Sequence, residues 1–277
     1  MQNESGTAAA ADRQPRYNGI LKADAIRQRR DAFGMLAEVE VVESTGSTNT
    51  DLMNRLPGLE RAVMRIALHQ TAGRGRAGRS WSSVPDGMLM FSLAWPMKQA
   101  SHQLMGLPLA VGVMIAEVLN SLDVNVRLKW PNDVLRNGNK LAGILIESAT
   151  QPEQGSWIVV GIGLNLLVPD TLESELGRTV ADAPWLARMD RNQLAAMLLN
   201  ALARGLDQFE REGFGGFLQR WNTLHAYAGQ VVQILDQGQV IRQGIALGAD
   251  AMGCLLLQTG QGQVSILAGD VSLRPAD

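Results

Sequence analysis

Three arginines and three glycines share the segment Gly73-Arg74-Gly75-Arg76-Ala77-Gly78-Arg79-Ser80. Glycines let backbone N–H groups curve round an anion, and guanidinium forks grip phosphate or carboxylate through paired hydrogen bonds. The spacing satisfies the dinucleotide pattern G-x-G-x-x-G and nearly satisfies a P-loop, with Arg79 where that motif needs lysine. Both motifs require the glycines to open a helix whose N-terminus holds the phosphate. Here Pro85 and Gly87 follow within a few residues and forbid a continuous helix, and no acidic residue stands about 20 positions on to take a ribose hydroxyl. An anion-binding loop remains. A solvated basic turn is the bland alternative; RNA binding would need interleaved aromatics and a wider basic surface.

A second constellation runs Lys129-Trp130-Pro131-Asn132-Asp133, then Asn137-Gly138-Asn139-Lys140-Leu141-Ala142-Gly143. Asn-Gly between apolar residues is a strong hairpin signal. With the turn at Asn137-Gly138, Arg136 faces Asn139 and Leu135 faces Lys140. Asp133 and Lys140 then share a sheet face one diagonal step apart, roughly 7–8 Å at the backbone. A carboxylate and an ammonium so placed suit a site that holds an anionic group and steers an amine or a metal; a surface ion pair is the plainer reading. Gly161-Ile162-Gly163-Leu164-Asn165 reads as a strand whose glycines let a ligand, or simply another backbone, approach closely.

The elements that must position these groups follow from the hydrophobic pattern. Lys22–Met35 has helical composition. Ser47 or Thr48 can cap a helix, with Asp51 three residues after Thr48 completing a capping box. Strands are expected at 39–42, 62–68, 88–95, 125–130 and 157–167, and Leu104–Leu122, apolar nearly all round, is a helix buried against a sheet. Asn192–Arg211 is amphipathic, and Phe214–His225 reads as a further helix. From Gly229 onward, five short apolar runs punctuated by turns give a small all-β module.

The chain has 277 residues, 46% hydrophobic and 19% charged, with a net charge of −2. That supports a full core and gives no global field toward nucleic acid or anionic membrane. One cysteine, Cys254, excludes a disulfide framework, and a histidine zinc triad would need His69, His102 and His225 to converge. No run approaches the roughly 20 apolar residues of a membrane span. The small, polar N-terminus lacks the apolar stretch of a signal peptide, so it reads as a disordered tail and the expected address is the cytoplasm.

Five ordered motifs resemble those of biotin–protein ligases: Ser47-Thr48-Asn49; Gln70-x-x-Gly-Arg-Gly-Arg-x-Gly-Arg-x-Trp81; Lys-Trp-Pro-Asn-Asp133; Lys-Leu-Ala-Gly-Ile144; and Gly-Ile-Gly-Leu-Asn165. The resemblance runs from about Leu21 to Arg274. It implies an α+β fold, a mixed sheet flanked by helices like that of class II aminoacyl-tRNA synthetases, with a C-terminal SH3-like barrel. The implied division is a tail over 1–20, a catalytic domain over 21–226 and the barrel over 227–277.

By the same resemblance Ser47, Thr48, Asn49 and Gln70 hold the biotin ring system, while Gly73, Arg74, Gly75 and Arg76 close over its carboxylate and the adenylate phosphate. Lys140 contacts those same groups, and Gly143, Leu145 and Gly161 line the pocket. Arg79, Asn132, Asp133 and Asn165 lie near ATP and its magnesium, which Asp133 would approach. ATP, magnesium and biotin are thus the implied small molecules. The implied partner is a biotin carboxyl carrier protein, with the enzyme a monomer or homodimer. Met90 stands where the family often has an aromatic residue near the ligand. About 46 residues precede Ser47, fewer than a helix-turn-helix of about sixty would need, which speaks against DNA binding. Lipoate–protein ligase, the nearest competitor, carries a loop more like Arg-Arg-x-Ser-Gly-Gly-Gly, which is missing here. A catalytically dead binding module would not need complete motifs.

Overall fold

A computed structural model describes residues 20–99, 101–151, 155–169, 172–174, 177, 179–269 and 271–276; all but the last residue of the expected tail over 1–20 lies outside them. Among these residues seven strands form one sheet: β1 (Ala37–Thr45), β2 (Ala62–Gln70), β3 (Met88–Met97), β4 (Arg127–Lys129), β5 (Asp133–Arg136), β6 (Asn139–Gln151) and β7 (Gly155–Asn165). Their order is β1-β2-β3-β7-β6-β5-β4, with β1 parallel to β2 and every other pair antiparallel. The helices are α1 (Ala23–Arg27), α2 (Thr48–Arg55), α3 (Leu107–Ser121), α4 (Pro184–Ala187), α5 (Arg191–Glu212) and α6 (Leu218–Leu224).

Side chains alternate across the sheet with period two. Val63, Ala94 and Val159 lie in register and receive Leu52 of α2 on one face. Met64, Leu93 and Val160, each one residue along, join the larger core on the other face, where α3 and α5 pack. α3 buries eleven of its fifteen residues, as its all-round apolar sequence requires.

Two expected helices are shorter than their composition suggests. α1 stops at Arg27 because the Asp31 carboxylate accepts the backbone N–H groups of Phe33 (3.0 Å) and Gly34 (2.9 Å). Such a local turn competes with helix for the same donors. The expected Phe214–His225 helix divides into a 3₁₀ turn, Gly213–Phe217, and α6, since Gly215 and Gly216 weaken its first half.

Beyond α6 come β8 (Val231–Asp236), β9 (Gln239–Ala249), β10 (Leu255–Thr259), β11 (Gly262–Ile266) and β12 (Ser272–Pro275), an antiparallel sheet ordered β11-β10-β9-β8-β12. Register shifts at Ile234/Leu235 and Leu256/Leu257 bend it, as a small SH3-like module requires. Specific bonds tie it to the turn after β4 and to α6: Trp130 Nε1 donates to the Gly253 carbonyl (3.1 Å), and Asn222 Oδ1 accepts from Ala249 N–H (2.8 Å).

His225 sits at this joint, buried, its ring stacked on Trp221 at 4.7 Å and neither ring nitrogen hydrogen-bonded. Burial holds it at about 4 instead of 6.5. Between those values the unfolded chain binds a proton that the folded chain refuses, so stability falls as pH drops through that window. Complete titration is worth on the order of 3 kcal/mol. His225→Phe, which keeps the stacking, should lose less melting temperature between pH 6.5 and 4 than the wild type. Parallel melting curves for the two proteins would contradict this.

Candidate functional site

Three strands build the floor of a cleft from rows of facing residues. Ala94, Val159 and Glu147 form one row, Ser92, Gly161 and Leu145 the next, and Met90, Gly163 and Gly143 the third. Glycine at 161 and 163 leaves two hollows in this floor. A Cβ at Gly161 would collide with the Asn49 amide, and one at Gly163 with the Trp81 indole. The glycine pair therefore admits two side chains that reach in from other elements.

At one end of the cleft α2 begins. Ser47 is its N-cap, with its hydroxyl 3.5 Å from Thr50 N–H, so Asp51 is not the partner in a capping box. Asp51 instead accepts from Thr45 Oγ1 (2.7 Å) and Arg65 Nε (2.8 Å), and Arg65 also reaches Glu40 (2.8 Å). That network pins the first turn of α2 against β1 and β2. The Gln70 side-chain oxygen accepts from Thr48 N–H (2.8 Å) and from the Thr48 hydroxyl (3.2 Å), and the Thr48 and Ser92 hydroxyls meet at 2.7 Å. Ser92 Oγ donates to Asn49 Oδ1 (2.5 Å), and Asn49 Nδ2 donates to Glu147 (2.9 Å).

The Gly73–Trp81 segment arches over the floor with its legs paired: Trp81 N–H donates to the Gly73 carbonyl (2.9 Å) and Gly75 N–H to that of Arg79 (2.7 Å). Arg74 reaches Glu147 (2.9 Å). Arg76 donates to Asn132 Oδ1 (3.1 Å) and to the Gly269 carbonyl, joining the arch to the C-terminal module. Trp81 lays its indole over Gly143 and Gly163, with Lys140 Nζ 5.3 Å from the ring centroid.

At the other end Lys140 Nζ meets Asp133 Oδ1 at 2.6 Å, and Lys129 stands 3.8 Å from the same carboxylate. The turn register is the expected one, Leu135 opposite Lys140, but a bulge at Val134/Leu135 sets Asp133 opposite Gly143. The long Lys140 side chain nevertheless spans the gap to the carboxylate. Asn132 Nδ2 is held by the Ile144 carbonyl (2.7 Å), which leaves its oxygen for Arg76. Val271–Arg274 of the C-terminal module forms a wall of this end.

The structure thus brings Ser47, Thr48, Asn49, Gln70, Arg74, Gly75, Arg76, Asn132, Lys140, Gly143, Leu145 and Gly161 around one cavity. Arg79 and Asp133 line its continuation with Arg76, Asn132 and Lys140. Gly73 is not on the wall; it sits at the base of the arch, where a Cβ would press on the Trp81 carbonyl. Asn165 faces a separate slot with Trp81, Met88, Leu172 and Val180, its amide nitrogen bonded to the Ala181 carbonyl (2.9 Å) and its oxygen buried without a partner. Met90 is wholly buried, its sulfur 3.4 Å from Gln70 Nε2, and the aromatic surface in the cleft comes from Trp81. Sequence reasoning gave no role to Trp81, Ser92 or Glu147. A serine in the apolar run of β3 was the one available signal. Among the described residues no three His, Cys, Asp or Glu side chains cluster as a metal site, and no helix is long and apolar enough to cross a membrane.

A cleft of this kind, on a mixed sheet with a small β module against it, defines a class. Residues 40–165 match the Biotin/lipoate A/B protein ligase family, and residues 227–274 match the Biotin protein ligase C terminal domain. The chain is 36% identical over 265 residues to the bifunctional ligase/repressor BirA of Escherichia coli, covering 93% of this chain and 79% of that one. It is 36% identical over 243 residues to the biotin--[acetyl-CoA-carboxylase] ligase of Mycobacterium tuberculosis, covering 84% and 88% respectively. The solved biotin protein ligase from Aquifex aeolicus in complex with biotin and ATP superposes with a TM-score of 0.72 at 28% identity, over 86% of this chain and 99% of that one. The chain belongs to the biotin–protein ligase family.

Proposed function

We infer that the protein is an ATP-dependent biotin–protein ligase. It joins biotin to ATP, forming biotinyl-5'-AMP and releasing pyrophosphate, and then transfers the biotinyl group to a lysine of a biotin carboxyl carrier protein. One observation supports the reading most directly: a polar recess, an aromatic plane and a cationic cluster follow one another along a single cleft.

A carboxylate does not acylate amines, because its leaving group would be oxide. Attack of a biotin carboxylate oxygen on the α-phosphorus expels pyrophosphate and leaves a mixed anhydride. The acceptor amine then attacks the acyl carbon, AMP departs with the bonding pair, and the amine loses a proton. No covalent enzyme nucleophile is required; the work is positioning and stabilisation of phosphate charge. In this reading Ser47, Thr48, Asn49 and Gln70 seat the biotin rings, and Leu145 with Gly143 and Gly161 borders the acyl chain. Gly75, with the side chains of Arg76 and Lys140, faces the carboxylate and phosphate. Asp133 orients Lys140, and Arg74 and Arg79 flank the arch. The slot of Trp81, Met88, Leu172 and Val180 suits an adenine, whose amino group the unpartnered Asn165 oxygen would accept. Magnesium would arrive on the ATP phosphates, and the Asp133 carboxylate would be the protein group to hold it, a mode that needs only one or two carboxylates. Residues 21–226 would carry the cleft and 227–277 one wall of it.

Substrate choice provides the test. Biotin with MgATP should release pyrophosphate, and lipoate with MgATP should not. Equal turnover of the two acids would overturn the assignment.

A further inference from the structure

Arg191 is almost wholly buried, yet it opens α5, the 22-residue helix that Asp190 caps. A cation in the first turn opposes the helix dipole, and its burial costs solvation, so α5 gains nothing from it. The guanidinium instead reaches across to the turn that joins the arch to β3. Nη1 donates to Asp86 Oδ1 (3.1 Å) and Nη2 to the Met88 carbonyl (2.9 Å). We propose that Arg191 is a positioning residue for the nucleotide: it clamps the Asp86–Met88 turn and so sets one wall of the slot that receives the adenine. The proposal rests on the ligase reading and extends it to what holds the nucleotide end in shape.

Asp86 has a left-handed backbone, φ 58°, which aspartate tolerates better than most side chains. Gly87 N–H closes onto the Val84 carbonyl (3.1 Å), and a Cβ at Gly87 would collide with the Leu167 carbonyl. The Gly87 carbonyl in turn accepts from the N–H groups of Leu166 and Leu167, each at 2.9 Å. Three pieces of chain therefore meet at this turn: the trailing leg of the arch, the first residue of β3, and the end of β7 with the residues just beyond it. The slot takes Trp81 and Ser82 from the first, Met88 from the second and Asn165 from the third. Met88 and Asn165 face each other in the β3–β7 register. Arg191 lines neither the slot nor the cavity beside it, so it acts through Asp86 and Met88. The polar recess lies farther along β3, at Ser92.

Arg191→Met keeps the apolar stem and removes both contacts. Asp86, the partner left behind, has its side chain 59% exposed, so no charge is stranded in the core. The remaining cost is the donor lost by the Met88 carbonyl, and the melting temperature should fall by only a few degrees. The turn, held then from the β7 side alone, can swing away and carry Met88 with it. KM for ATP should rise about tenfold, the scale of one lost charge-assisted hydrogen bond. KM for biotin should stay within about twofold and kcat within about threefold, since slot contacts are made alike in the ground and transition states. Asp86→Asn keeps the left-handed turn and a neutral oxygen for Nη1, so it should raise KM for ATP by about two- to threefold.

The experiment is steady-state pyrophosphate release, with ATP and biotin varied in turn, for wild type, each single variant and the double variant. The expected result is a raised KM confined to ATP, with the double variant no worse than Arg191→Met, because the two residues act as one clamp. A purely structural role would instead lower kcat through a smaller folded fraction and leave both KM values unchanged. That outcome, or a rise shared equally by biotin, would overturn the role given to Arg191. Should Arg191→Met fail to fold, Asp86→Asn decides alone: its KM for ATP must rise while that for biotin does not. Wild-type protein that releases no pyrophosphate would instead overturn the ligase reading beneath it.

Discussion

Lys140→Met should slow formation of biotinyl-5'-AMP by about 10²–10³-fold, the usual cost of removing one donor aimed at developing charge. Lys140 Nζ sits between Asp133 at 2.6 Å and the face of Trp81, at the junction of the cavity and its continuation. The Asp133 contact holds the ammonium in place before substrate arrives, so little reorganisation is needed when the phosphorus becomes five-coordinate. The melting temperature should change by only a few degrees. Asp133 keeps Lys129 at 3.8 Å, and the lost ion pair is partly exposed, where such pairs contribute little. Rapid-quench measurement of adenylate formation beside a thermal melt separates these effects. Normal adenylation by the methionine variant would make Lys140 a structural residue of the hairpin.

Arg76→Gly should loosen the hold on biotinyl-AMP more than it slows synthesis. Arg76 spans from the arch to Asn132 on one side and to the Gly269 carbonyl on the other. It is therefore the side chain that fastens the arch to both walls, and a charge-assisted contact to the adenylate phosphate would add about 1.5–3 kcal/mol. Glycine removes both latches and adds backbone freedom to a segment already rich in it. Loss of 1.5–3 kcal/mol corresponds to release faster by roughly 10- to 150-fold. The anhydride that escapes would acylate exposed lysines on bystander proteins. Release of radiolabelled biotinyl-AMP and labelling of an added non-cognate protein measure the two consequences. An arch equally protected from protease with and without biotinyl-AMP, together with no bystander labelling, would refute this latch.

Much of this site was legible because its motifs are local. The Asn137-Gly138 turn fixed its own register, and Leu135 does face Lys140. The five ordered motifs pointed to the cleft because each places several residues on one strand or one turn. What sequence could not give were contacts between distant segments. Asn49 and Glu147 are 98 residues apart, and Arg76 and Gly269 are 193 apart; no periodicity relates either pair. The irregularity at Val134/Leu135 set Asp133 opposite Gly143, where regular pleating implied Ala142, and the Lys140 side chain spans the wider gap. Trp81 closes the second motif, but its resting place on two glycines depends on how β6 and β7 align. The Asp31 turn ended a helix that composition alone would have extended, because a side-chain acceptor outcompeted the backbone one.

In the proposed reaction one cleft activates biotin and delivers it to a carrier lysine. Intact-mass and peptide spectrometry of a biotin carboxyl carrier domain, incubated with this protein and MgATP, tests it most directly. With biotin the carrier should gain a single biotinyl group on one lysine, dependent on ATP, and with lipoate or octanoate it should gain nothing. A carrier left unmodified by biotin, or acylated equally by the other acids, would contradict the account.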